Sequence, residues 1–140
     1  MKTIHSLIAA VALSSLPALG FAAGTAAGNP LSVHVLNLQD GLPSPDVDVV
    51  LEKQDGAQWR PLNSGITNAQ GRVPALYPEG RKLEAGTYRV TFKTGKWFTS
   101  RQSVTFFPEI PVIFSVDGSV AHYHIPLLLS PYGYSTYRGN

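Results

Sequence analysis

The sequence predicts an all-β sandwich. Short runs rich in Val, Leu, Ile, Tyr and Thr recur along the chain, with apolar and polar residues alternating as they do in strands with one face on a core. Turn chemistry separates the runs: Asp55-Gly56, Asp117-Gly118, the stretch from Gly41 to Pro45, and Ser130-Pro131-Tyr132-Gly133. A single segment has helical character, and only for a turn or two. Counted this way there are about seven or eight strands, with no internal repeat and no low-complexity tract.

The first strand is Leu31 to Asn37. Val33 and Val35 share one face, and His34 and Leu36 share the other, because residues two apart in a strand point the same way. Gly41 to Pro45 reads as a loop. Val47, Val49 and Leu51 then alternate with polar residues in a strand that ends at Asp55-Gly56, a tight hairpin turn, and Trp59 and Leu62 lie on the returning segment. Asn63 to Gly71 is polar and reads as loop, with Asn68 to Gly71 turning the chain into Arg72. Arg72 to Leu76 is a short strand whose Pro74 argues for an edge or a bulge.

Gly86 to Phe92 is the clearest middle strand, with Tyr88, Val90 and Phe92 on one face. Thr94 to Arg101 is the one predicted helix, packing Trp97 and Phe98 inward. Pro111 to Val116 is a strand, Asp117-Gly118 a hairpin turn, and the next strand begins at Val120. In that strand Tyr123, Ile125, Leu127 and Leu129 form a core face. His122, His124, Pro126 and Leu128 form the other. A second face carrying two histidines and a leucine calls for a partner or a ligand. A turn at Ser130 to Gly133 then leads into the C-terminal run.

With 140 residues the chain is expected to hold one domain. Residues 1 to 23 read as a cleaved signal peptide: Met1-Lys2 is a short basic start, Leu7 to Leu19 is nearly all apolar, and small residues follow. The cut is expected near Ala22 or Ala23, with Ala27 as the alternative. Residues 24 to 30 read as a linker and 31 to 140 as the folded domain. Export would place the mature protein in the periplasm, with no membrane association once the signal is cut. Cys is absent, so no disulfide supports the fold, and roughly 115 residues hold together by their own core and by oligomerisation. Ten basic residues then face nine acidic ones in scattered positions, which leaves no electrostatic footprint for nucleic acid.

His122 and His124 flank one residue, a spacing that can ligate zinc, and His34 could serve as a third ligand. No Cys or acidic residue stands at ligand spacing beside them, so metal ligation is the lesser reading. Arg72 is either a solvated charge or the planar donor fork of an anion- or carbonyl-binding site. No Gly-x-Ser-x-Gly elbow is present, and Asp46 and Asp48 read as exposed. The residues alone therefore describe an exported β-sandwich with a histidine-bearing, partly apolar face.

Four stretches add a family. Leu128 to Gly139 (Leu-Leu-Ser-Pro-Tyr-Gly-Tyr-Ser-Thr-Tyr-Arg-Gly) resembles the C-terminal signature of the 5-hydroxyisourate hydrolases, the transthyretin-related proteins of purine catabolism. His34-Val-Leu-Asn37 resembles the family's N-terminal motif, and Gly71 to Glu79 and Phe106 to Pro111 resemble its internal ones. Together they are highly specific and run in order from about Leu31 to the C-terminus.

The resemblance implies a transthyretin-like sandwich of two four-stranded sheets with one short helix. It also implies a homotetramer built as a dimer of dimers, with active sites in the channel between dimers. His34, Arg72 and His124 would take the catalytic positions. His34, Arg72, Tyr137, Arg138, Gly139 and Asn140 would bind the purine-derived substrate, and no metal or cofactor is implied. Hormone-carrying transthyretins have a small residue where Tyr137 stands and no histidine at the two histidine positions, which favours hydrolase over carrier. The family commonly ends Tyr-Arg-Gly-Ser, whereas this chain ends with Asn140. A non-enzymatic periplasmic binding module is the competing reading.

Overall fold

The computed structural model describes residues 28–140. The expected signal peptide and most of the expected linker lie outside the described residues. The chain runs β1 (Leu31–Asn37), β2 (Leu42–Pro43), β3 (Asp48–Asp55), β4 (Gln58–Ile66), β5 (Arg72–Val73), β6 (Gly86–Phe92), α1 (Thr94–Ser100), β7 (Ile110–Val116), β8 (Tyr123–Ser130) and β9 (Gly133–Thr136). One sheet has the order β4-β3-β6-β7. The other has the order β2-β1-β8-β9, with β5 also paired to β1. The two short strands meet β1 along the same edge, β5 at Val33 and His34 and β2 at Leu36 and Asn37. They act as one interrupted edge strand, so each layer is four strands wide.

The apolar alternation selects the inner faces. Leu31, Val33 and Val35 of β1, Val49 and Leu51 of β3, Tyr88, Val90 and Phe92 of β6, and Leu127 and Leu129 of β8 are fully buried. Trp97 and Phe98 of α1 close one end of this core. Among the described residues no helix is long and apolar enough to cross a membrane.

Three expectations are corrected. β4 runs on to Ile66 through residues read as loop: it is a mostly exposed edge strand, so no face of it shows an apolar pattern. β5 stops at Val73: the register slips past Pro74, and the next bond to β1 comes from the Leu76 N–H, which donates to the Leu31 carbonyl at 2.9 Å. Asp117-Gly118 does not form a hairpin, because β7 and β8 belong to different sheets and residues 117–122 cross between them. The Tyr123 hydroxyl pins that crossing: it donates to Asp117 Oδ1 at 2.8 Å and accepts from the Gly118 N–H at 3.1 Å. The long strand consequently begins at Tyr123 and leaves His122 just outside it.

Candidate active site

β1 and β8 lie side by side in parallel, the one parallel pairing among the described strands, with Ser32 opposite His124 and His34 opposite Pro126. The alternation that buries Val33, Val35, Ile125 and Leu127 turns Ser32, His34 and His124 to the outer face of this sheet. The His34 and His124 rings stand 6.5 Å apart between centroids.

Arg72 reaches the same place from the other flank. It sits directly opposite His34 in the antiparallel β1–β5 pair. A turn aims it there: Gly71, at φ +69°, donates its N–H to Asn68 O at 2.8 Å, and the Asn68 side chain accepts from the Arg72 N–H at 3.0 Å. The position demands glycine, since a Cβ would lie 2.5 Å from the Val35 carbonyl oxygen.

The electrostatics of the cluster favour neutral imidazole. Burial lowers the pKa of His34 below 6.5, the Arg72 charge lowers it further, and the Gln70 carbonyl pulls the other way. Burial likewise lowers His124, followed by Arg72 and by the neighbouring His122 and His34. Two unprotonated imidazoles thus share a face with an obligate cation.

The C-terminal tail completes the site from above β8. β9 pairs with β8 only as far as Leu127–Thr136. The next β8 residue on that side, Pro126, has no N–H to offer, and its carbonyl accepts the Thr136 hydroxyl at 2.8 Å. The chain lifts away over Tyr137 and Arg138 and returns at Gly139, whose N–H donates to the His124 carbonyl at 3.0 Å. Gly139 lies against the imidazole so closely that a Cβ there would be 2.5 Å from His124 Cδ2.

The structure therefore brings His34, Arg72, His124 and Gly139 together. Arg138 turns toward the Tyr123 ring, its guanidinium carbon 5.8 Å from the centroid, beside a cavity of about 320 Å³ that Tyr137 and His124 also line. Tyr137 and Asn140 are exposed in the single chain. Sequence reasoning passed over Ser32, whose hydroxyl lies 2.7 Å from His124 Nδ1 and 2.9 Å from His122 Nε2. Its spacing of two from His34 on an outward face was the available signal. The two ring nitrogens of His122 are both engaged within the chain, Nδ1 with the Asn29 carbonyl at 2.8 Å. Among the described residues no cluster of three metal-ligating side chains forms.

Comparison with known proteins places this arrangement. The HIUase/Transthyretin family profile matches residues 31–139. The chain belongs to that family. A 5-hydroxyisourate hydrolase of Salmonella typhi is 52% identical over 140 residues, the full length of both chains. The mouse 5-hydroxyisourate hydrolase is 35% identical over 114 residues, covering 80% of this chain and 96% of the mouse protein.

Among solved structures, the Klebsiella pneumoniae 5-hydroxyisourate hydrolase superposes with a TM-score of 0.69 at 35% identity, over 79% of this chain and 98% of its own. Sea bream transthyretin in complex with thyroxine superposes at 0.73 and 31% identity, over 79% and 94%. The HIUase/transthyretin sandwich thus includes both a 5-hydroxyisourate hydrolase and a transthyretin solved in complex with thyroxine.

Proposed function

We propose that this chain hydrolyses 5-hydroxyisourate to 2-oxo-4-hydroxy-4-carboxy-5-ureidoimidazoline, a ring-opening step of urate catabolism. The observation that carries the proposal is the convergence of His34, Arg72 and His124 on one outward face, with both imidazoles held neutral. Water attacks a ring carbonyl of the substrate. One neutral imidazole takes the proton from water, the carbonyl becomes an oxyanion beside the Arg72 guanidinium, and a proton returned to the ring nitrogen lets the C–N bond break. One water is consumed, and nothing changes oxidation state. Tyr137, Arg138, Gly139 and Asn140 form the strand-end that closes over the bound ring.

The same reading gives the assembly. An outward sheet face bearing half-buried Leu36 and Leu128 beside buried His124 suits contact with a second copy. Packing dimer on dimer across it makes a homotetramer whose channel encloses the sites. Residues 1–23 export the chain, and the enzyme works in the periplasm on a small purine-derived substrate.

A non-enzymatic binding module is the second reading, because sea bream transthyretin shares this sandwich and was solved with thyroxine. Binding alone gives two neutral imidazoles no proton to move, which weighs against it. The deciding assay follows the decay of 5-hydroxyisourate made freshly from urate by urate oxidase, with wild type, His124→Asn and no protein. Wild type should accelerate decay, and His124→Asn should lower turnover by about 10²-fold or more. No acceleration by a verified tetramer would support the binding module. Activity lost to a chelator and restored by zinc would overturn the metal-free mechanism.

A further inference from the structure

We propose that Ser32 and His122 are positioning residues that fix the ring tautomer of His124, leaving its Nε2 as a bare lone pair and making His124 the base that deprotonates water. The proposal rests on the hydrolase reading above and assigns the proton-transfer roles within it.

The assignment follows from counting protons along one chain of contacts. It starts at the Asn29 carbonyl, which can only accept. His122 Nδ1, 2.8 Å away, must carry a hydrogen. While His122 holds a single ring proton, its Nε2 is an acceptor, and its partner is the Ser32 hydroxyl at 2.9 Å. Ser32 has one proton and gives it to His122, so toward its other partner Ser32 Oγ can only accept. That partner is His124 Nδ1 at 2.7 Å, which must therefore donate. The proton of neutral His124 sits on Nδ1.

Nε2 is left unprotonated, and the His124 ring nitrogen that Ser32 Oγ engages is Nδ1. Burial and the Arg72 charge keep the ring neutral in the fold. Ser32 is 8% exposed, so water competes poorly for the link that matters most. With His124 as base, the imidazolium it becomes is the group that returns the proton to the departing ring nitrogen, since His34, also held neutral, has none to spare. The geometry also explains an otherwise idle residue: His122 lies outside β8, yet both its nitrogens are committed.

The test reads the ring directly. In ¹⁵N-labelled protein at about pH 8, where neutral imidazole dominates, long-range ¹H–¹⁵N correlations should show a protonated Nδ1 and a bare Nε2 for His124. His122→Gln offers an amide oxygen where Nε2 stood, and should keep that signature with kcat within a few-fold. His122→Leu frees the Ser32 hydroxyl to donate to His124 Nδ1. The ring should then move to its Nε2–H form, and kcat should fall at least about 10-fold with KM little changed.

Wild-type His124 protonated on Nε2, or a His122→Leu protein with unchanged tautomer and kcat, would overturn the proposal. So would a Gln variant as impaired as the Leu variant. The tautomer is read without substrate, so absent turnover in wild type with the Nδ1–H signature intact would strike the hydrolase reading and the base role with it, and leave the positioning by Ser32 and His122 standing.

Discussion

Gly139→Ala is the sharpest test of how the tail serves the site. The glycine is not in a left-handed conformation, so the substitution carries no intrinsic backbone strain. Its whole effect comes from a methyl group placed 2.5 Å from Cδ2, 3.1 Å from Cγ and 3.2 Å from Cβ of His124. Comfortable carbon contacts lie at about 3.5–4.0 Å, so something must give by roughly 1 Å. One route turns the imidazole away and breaks its 2.7 Å contact with Ser32. The other peels the tail off β8, loses the 3.0 Å bond from the Gly139 N–H to the His124 carbonyl, and carries Tyr137 and Arg138 with it.

Both routes end with a group of the proposed catalytic cluster misplaced. Displacement of about 1 Å can cost on the order of 10²-fold in rate, or about 2.7 kcal/mol of barrier. Global stability should hardly notice, because one peripheral backbone bond is worth about 0.5–1.5 kcal/mol. The expected result is kcat/KM for 5-hydroxyisourate down about 10²-fold with Tm lowered by only a few degrees. A Gly139→Ala protein that turns over within about three-fold of wild type would show that the tail does not hold the ring, and the reasoning would fail.

Four further outcomes follow from the structure. Because His34 and His124 titrate below 6.5, kcat/KM should hold its plateau at neutral pH and fall on the acid side through a midpoint below that value. Arg72→Gln should move the midpoint upward while lowering the plateau, and an unmoved midpoint would remove Arg72 from the electrostatics of the pair. The same depression contributes stability that is fully present above the unfolded-state pKa of 6.5 and lost as pH falls through the lowered folded values. Thermal melts should therefore show Tm rising from about pH 5.5 to about pH 7. Leu127→Ala, at a side chain with no exposure, should cost about 2–5 kcal/mol in denaturant unfolding, and a loss below about 1 kcal/mol would mean the core relaxes around the cavity.

Much of the fold was legible because burial writes a period into the chain. β1 and β6 begin and end where their alternation does, at Leu31–Asn37 and Gly86–Phe92. The outward placement of His34 and His124 came from the same rule. Legibility failed where burial is weak: β4 is largely exposed, so Asn63 to Ile66 left no apolar trace and read as loop. It failed again at Asp117-Gly118, where residue chemistry specifies a reversal but cannot say whether the next strand joins the same sheet. Ser32 was missed for a third reason. Its partner lies 92 residues away, and only the parallel register of β1 on β8 brings them together. Periodicity finds faces, and pairing across the sheet decides which residues on a face meet.

Under the proposed mechanism Arg72 carries two opposing electrostatic duties, and their balance accounts for the composition of the candidate site. A fixed positive charge beside an imidazole weakens it as a base, which by itself slows proton abstraction. The same charge keeps the imidazole unprotonated at neutral pH, so the base is present in every molecule instead of a fraction of them. Once a proton has been taken, the new imidazolium stands near a guanidinium on a partly buried face, where it is less stable than in water. It is thereby pressed to give the proton up, and the leaving nitrogen is the group that needs one. Meanwhile the oxyanion formed in the same step is negative, and it offsets the cost that Arg72 imposes on the imidazolium. Cation and imidazolium are tolerable together only while the oxyanion is present, that is, in the tetrahedral intermediate and the transition states on either side of it. A carrier has no such charged intermediate to stabilise, whereas the proposed hydrolysis does.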